Sequence, residues 1–293
     1  FTIYHMVDFG GDPEKELTAL CAALDAIILW ASAAWCFGIP TSESHALIAG
    51  LTGAAISIHK GLAGIHWEEW IKVVYGLFFS GILGLGMGFA GGKYLLLSGK
   101  RNGRRAEYGE AKHRNGKRLG DNRPSVRNQK GMERMQTAGA AAMAFMHGAQ
   151  DGQKFMGVFL MGIFLAGGRA SDGSFSVPLW MTALCSVVMA AGTAAGGERI
   201  IKKVGMEMVR LEKLQGIASD AAAAVCLLFA SWIGIPVSTT HVKTTSIMGV
   251  GLATDAEAVD MAVIKEMLLA WVITFPCCGL IGYITAEWFG KLV

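Results

Sequence analysis

Gly38-Ile39-Pro40-Thr41-Ser42-Glu43-Ser44-His45 ends one apolar run, and Gly234-Ile235-Pro236-Val237-Ser238-Thr239-Thr240-His241 ends another. Glycine, isoleucine, proline, serine and histidine recur 196 positions apart, and Gly53 pairs with Gly249 at the same offset. Each copy sets a helix breaker inside apolar sequence and follows it with hydroxyl side chains. Proline in a first turn has no N–H to lose, so a new helix is expected to begin in each copy with the hydroxyls at its N-terminus. Free N–H groups and the positive dipole end then converge with those side chains on one point, which suits an anion. Interrupted apolar segments in corresponding halves of a membrane chain point to a transporter's binding site.

Outward from these motifs the chain reads as alternating membrane-length segments. Leu17–Phe37, Val73–Leu97, Ala138–Leu165, Val177–Ala195, Gly216–Trp232 and Met261–Phe289 approach or exceed the roughly 20 residues that cross hydrocarbon; Pro276 sits within the last. Ala46–Ile58 and Ser246–Ala253 are apolar but short, and read as re-entrant or half helices. Glu198–Gln215 is charged and reads as an interfacial helix, Ser171–Ser176 as a polar turn. The expected fold is an all-α polytopic membrane protein of about six spans and two re-entrant hairpins. Its organisation is residues 1–97 with the first motif, a basic loop over 98–136, and residues 137–293 with the second motif.

Charge is concentrated between the halves. Twelve of the 26 Lys and Arg residues lie between Lys100 and Arg134 with four acidic residues, so this connector carries +8 within a net +3. Flanked by membrane-length runs, it fits the positive-inside rule better than a nucleic-acid surface, and places 98–131 in the cytoplasm. Hydrophobic residues make up 53% of the chain and mean hydropathy is +0.42. The six cysteines lie within apolar runs without CxxC spacing and read as packing residues. Tryptophans and methionines read as interface anchors and packing. No Walker loop, metalloprotease motif or dinucleotide fingerprint occurs.

A polar stripe interrupts the third span. His147, Gln150, Asp151 and Lys154 fall at i, i+3, i+4 and i+7, on one helical face, with Gly148 and Gly152 allowing a break or close backbone approach. Charges at membrane depth cost several kcal/mol and face a wet cavity or each other. Asp151, Gln150 and freed carbonyls suit a hard cation such as Na⁺; an Asp151–Lys154 pair that only packs helices is the alternative. His45 and His241 each lie three residues beyond the matched serine, either bracing the hairpin through a carbonyl or touching the anion. Asp25 and Asp220 are helix-end groups or orient the site.

These residues carry a resemblance. The two Gly-Ile-Pro motifs, His147-Gly148-Ala149-Gln150-Asp151-Gly152-Gln153-Lys154, and Ala270-Trp271-Val272-Ile273-Thr274-Phe275-Pro276 together resemble the inorganic phosphate transporter (PiT) family, from about residue 17 to the end. The resemblance implies two inverted repeats, substrate at their interface, and phosphate uptake coupled to Na⁺ or H⁺. The chain departs from that family in lacking a first Gly-x-Asn-Asp element, so it is expected to lack an N-terminal portion. Gln150 also stands where the family has asparagine, and Glu43 is acidic where the second copy has Thr239.

The reading is therefore a transporter in the inner membrane, not an enzyme, importing inorganic phosphate by cation symport. Ser42, Glu43, Ser44, Ser238, Thr239 and Thr240 would meet the oxyanion, and Gln150 and Asp151 the coupling cation. His45, His147, Lys154 and His241 would support them. No cofactor and no nucleic acid are expected; membrane lipid is a partner and a homodimer is left open. The alternatives are a sulfate permease of the same family and an intramembrane hydrolase using Ser44 or Thr240 with a histidine and Asp151. A phosphate receptor without flux is a third class.

Overall fold

The computed structural model describes residues 6–9, 11–101, 126–167, 177–233 and 237–291. Gly234-Ile235-Pro236, the turn at 171–176 and most of the basic connector lie outside the described residues.

Helix α1 (Pro13–Phe37) opens on an N1 proline, with the Asp12 side chain accepting from the Glu14 amide, and stops at Gly38. Gly38 sits at φ 70°, a left-handed conformation that glycine adopts without the Cβ penalty. The chain turns there into α2 (Glu43–His59) and then α3 (Trp67–Arg101). After the connector come α4 (Val126–Ala166), α5 (Leu179–Ala194), the short α6 (Glu198–Lys202), α7 (Lys213–Ile233), α8 (Thr239–Thr254) and α9 (Met261–Phe289). Displaced by 196 residues, α1 falls on α7, α2 on α8 and α3 on α9. An isolated antiparallel bridge accompanies each set, Val7 with Ile65 and Val209 with Val259. The repeat seen in the motifs thus extends over three helices.

The two sets exchange their third helix. α2 packs mainly on α9, and α8 mainly on α3. Small residues make both crossings close: a Cβ on Gly53 would run into the Gly279 carbonyl oxygen, and one on Gly249 into that of Leu85. Close backbone approach through glycine is how apolar helices associate where lipid is as apolar as their side chains. Gly53→Ala and Gly249→Ala are each expected to cost about 1–3 kcal/mol or more by overpacking. Melting of the purified protein in detergent measures this; an unchanged midpoint would mean that the helices are not locked at this spacing.

α1, the Trp67–Ser98 part of α3, α7 and α9 are long and apolar enough to cross a membrane. α5 with residues 198–208 forms a fifth candidate, bent by 65°. Large apolar side chains point outward from them, Tyr75 and Phe78 at 71% exposure and Trp232 at 84%, a surface suited to lipid rather than water.

Three expectations need correction. Of the six expected spans, α5 has only 16 residues and the polar stripe lowers the hydropathy of α4. The 41-residue α4 runs unbroken through Gly148 and Gly152; among the described residues nothing would meet a Cβ on Gly148, and only the Met156 side chain would come near one on Gly152. At 1.5 Å per residue α4 is about 60 Å long, twice the ~30 Å hydrocarbon thickness. Finally, 198–215 is not one helix. A π-turn over Lys203–Met208 leads into Val209, whose bridge to Val259 holds the strand-like segment in place, and Met208 and Val209 are buried rather than interfacial.

Candidate anion site

Ser42 caps α2 and Ser238 caps α8 in matching extended conformations, φ −107°, ψ 115° and φ −91°, ψ 117°. Each hydroxyl accepts from the amide three residues on, His45 at 3.4 Å and His241 at 3.3 Å. The two hydroxyl oxygens lie 2.9 Å apart and both serines are fully buried. Two helix N-termini therefore meet at one point, each bringing unpaired first-turn N–H groups and the positive end of a dipole. Contact between residues that occupy the same place in each repeat fits a two-fold relation whose axis passes between them.

α4 delivers the charges to this point. Lys154 Nζ lies 2.9 Å from Asp151 Oδ1 and donates at the same distance to Ser44 Oγ and the Val237 carbonyl. Thr239 Oγ1 donates to Asp151 Oδ2 at 2.7 Å, and His147 Nδ1 lies 3.4 Å from the same oxygen. Asp151 is buried and Lys154 nearly so. One ammonium thus joins α4 to the first turn of α2 and the entry of α8, and one carboxylate sits at the α8 N-terminus. An ion pair in this setting is costly to break, because the partner left behind is a buried unpaired charge.

The histidines pack through their rings. His45 and His241 meet edge to face, centroids 4.4 Å apart, with Phe275 against His45 and Trp271 at 3.8 Å from His241. Among the described residues neither ring nitrogen of His45, nor Nε2 of His241, has a hydrogen-bond partner. Trp271 also braces the hairpin through a carbonyl: its Nε1 donates to the Pro40 carbonyl at 3.2 Å. One turn further on, Trp30 Nε1 donates to Thr274 Oγ1 at 3.1 Å. Reading the tryptophans as interface anchors and packing allowed for the burial of Trp271 but not for its hydrogen bond. Its signal was its place in the Ala270–Pro276 element, five residues ahead of Pro276 in the last span.

The remaining expected site residues are more dispersed. Gln150 turns to α7, donating to the Leu227 carbonyl at 3.2 Å and to Ser231 Oγ, so its amide and the Asp151 carboxylate serve different neighbours. Thr240 is half-buried. Glu43 is exposed and, with His147, lines a cavity of about 590 Å³ between the start of α2, α4 and α5. Ser44 accepts from the Lys154 ammonium, which is paired with Asp151 and so has no lone pair with which to take the serine's proton. Among the described residues no cluster of three or more His, Cys, Asp or Glu side chains could hold a metal ion.

A family model described as the phosphate transporter family matches residues 2–282. The chain belongs to the phosphate transporter family. It is 32% identical over 271 residues to a Bacillus subtilis protein described as a probable low-affinity inorganic phosphate transporter, covering 92% of this chain and 74% of that one. A Mycobacterium tuberculosis protein with the same description is 33% identical over 270 residues, covering 92% of this chain and 59% of that one. A solved structure described as the sodium-dependent phosphate transporter superposes with a TM-score of 0.79 at 22% identity, covering 96% of this chain and 81% of that one. It shares the all-α fold. These relatives are transporters, not enzymes, and with its apolar helices the family member described here is an integral membrane protein.

Proposed function

We propose that the protein imports inorganic phosphate by symport with Na⁺ or H⁺, binding the anion where α2 and α8 meet. The contact between Ser42 and Ser238 carries this reading. It brings two helix N-termini, two hydroxyls and the nearby Lys154 ammonium close together at a buried place, a set of donors suited to a tetrahedral oxyanion. Asp151 couples a cation to that anion through Thr239 and Lys154, while Gln150 fixes α4 against α7. Glu43 and His147 line the entry.

The test is uptake of labelled phosphate into proteoliposomes under a Na⁺ gradient or a pH gradient, with sulfate as competitor. Gradient-driven accumulation with weak inhibition by sulfate is expected. Phosphate binding without flux under either gradient would make the protein a receptor, and stronger competition by sulfate would make it a sulfate permease.

The basic connector faces the cytoplasm in this reading, following the positive-inside rule. Protease added outside right-side-out cells should leave residues 98–131 intact, and cleavage there would reverse the orientation.

A further inference from the structure

A second lysine, away from the serine pair, likewise meets one aspartate and one serine. Lys243 of α8 pairs with Asp220 of α7 and donates to Ser219 Oγ at 3.2 Å, as Lys154 pairs with Asp151 and donates to Ser44. Lys243 lies one turn beyond Thr239, which binds Asp151, so it is on the same face of α8 and about 6 Å along the axis. Asp220 lies beside Gly139 of α4. From Gln150, which meets Leu227, to Gly139 is about 16 Å toward the end of α4 that follows the basic connector. The pair keeps partial access, with side-chain exposures of 28% for Lys243 and 18% for Asp220.

Packing does not require these charges. Displaced by 196 residues, Ser219, Asp220 and Lys243 correspond to Ala23, Leu24 and Leu47. Those three residues belong to, or pack against, the apolar cluster of the first repeat. The same helix crossing therefore forms without ions, whereas a partly buried ion pair adds a desolvation cost that apolar residues avoid.

We propose that Ser219, Asp220 and Lys243 form a second oxyanion subsite, on the route between the serine pair and the connector end of α4. Asp220 neutralises the ammonium until an anion arrives and displaces it, so the anion is handed from Lys154 to Lys243 along one face of α8. The inference rests on the transport reading above.

Wild-type flux in proteoliposomes is measured first, because its absence refutes the transport reading rather than this subsite. The double change Asp220→Leu with Lys243→Leu then installs the apolar pair of the first repeat. A melting midpoint equal to or above wild type is expected, with phosphate affinity little changed and maximal uptake down about tenfold or more through loss of a charged donor. Should that variant fail to fold, Asp220→Asn with Lys243→Gln keeps size and hydrogen bonding, and the same loss of flux is expected. Lys243→Arg, which keeps the cation, should retain flux. Wild-type flux per folded molecule in either double variant overturns the proposal, since a purely structural pair predicts that result.

Discussion

Asp151→Asn is expected to destabilise the protein by about 3–5 kcal/mol, the cost of leaving one partner of a buried pair uncompensated. The Lys154 ammonium would keep Ser44 and the Val237 carbonyl as acceptors but lose its counter-charge. Thr239 would lose an ionised acceptor at the α8 N-terminus. Lys154→Met alone should cost a similar amount, leaving the carboxylate with Thr239 and His147. The double variant Asp151→Asn with Lys154→Met should recover most of the stability, because it removes both charges together. Thermal melting in detergent measures all three. Uptake separates structure from coupling: the double variant should fold yet accumulate no phosphate against a gradient. Gradient-driven uptake by the double variant would end the coupling role of Asp151 and leave the pair a helix clamp.

Ser238→Ala should weaken phosphate binding about tenfold or more, since a hydrogen bond to a charged group contributes roughly 1.5–3 kcal/mol. It should also cost about 1 kcal/mol of stability through loss of the α8 N-cap. Ser42→Ala should behave alike, because Ser42 caps α2 in the same way. Each single change costs the opposite hydroxyl its partner across the pair and leaves it the amide that it caps, so the two changes together should cost less than their sum. Ser57 lies at the other end of α2, donating to Glu287, and Ser57→Ala should leave affinity unchanged. Equal loss at Ser42, Ser57 and Ser238, read by calorimetric titration with phosphate, would refute the serine pair as the anion cradle.

The repeat and the helix caps within it were legible in the sequence because the repeat is carried by residue types with few substitutes. A serine that caps a helix states its geometry locally, so the start of α2 was readable from Ser42; Pro40, expected in the first turn, instead lies two residues ahead of that cap, outside the helix. The position of α9 was equally plain from an apolar run of membrane length. What the sequence withheld was partnership. Apolar spacing shows which face of α2 is buried but not that α9, rather than α3, covers it. Gln150 and Asp151 are neighbours in sequence, yet adjacent residues on a helix point about 100° apart and reach different helices. Trp271 was hidden for a related reason: an indole in a span is ambiguous between headgroup and core until its N–H finds the Pro40 carbonyl. The break at Val209 was lost because the charged residues around it mimic an interfacial helix, while the bridge between Val209 and Val259 is a long-range contact.

The exchange of third helices also sets a timetable for synthesis. α2 is complete at His59, but its main partner α9 ends only at Phe289. At about 5–20 residues per second, the ribosome delivers α9 roughly 12–46 s after α2. Throughout that interval the glycine face of α2 rests against lipid or α1, without the backbone that finally covers it. Nascent chains arrested before α9 therefore expose a helix whose closest fit has not yet been made, and slow insertion of the last helix harms the first half of the protein rather than the last.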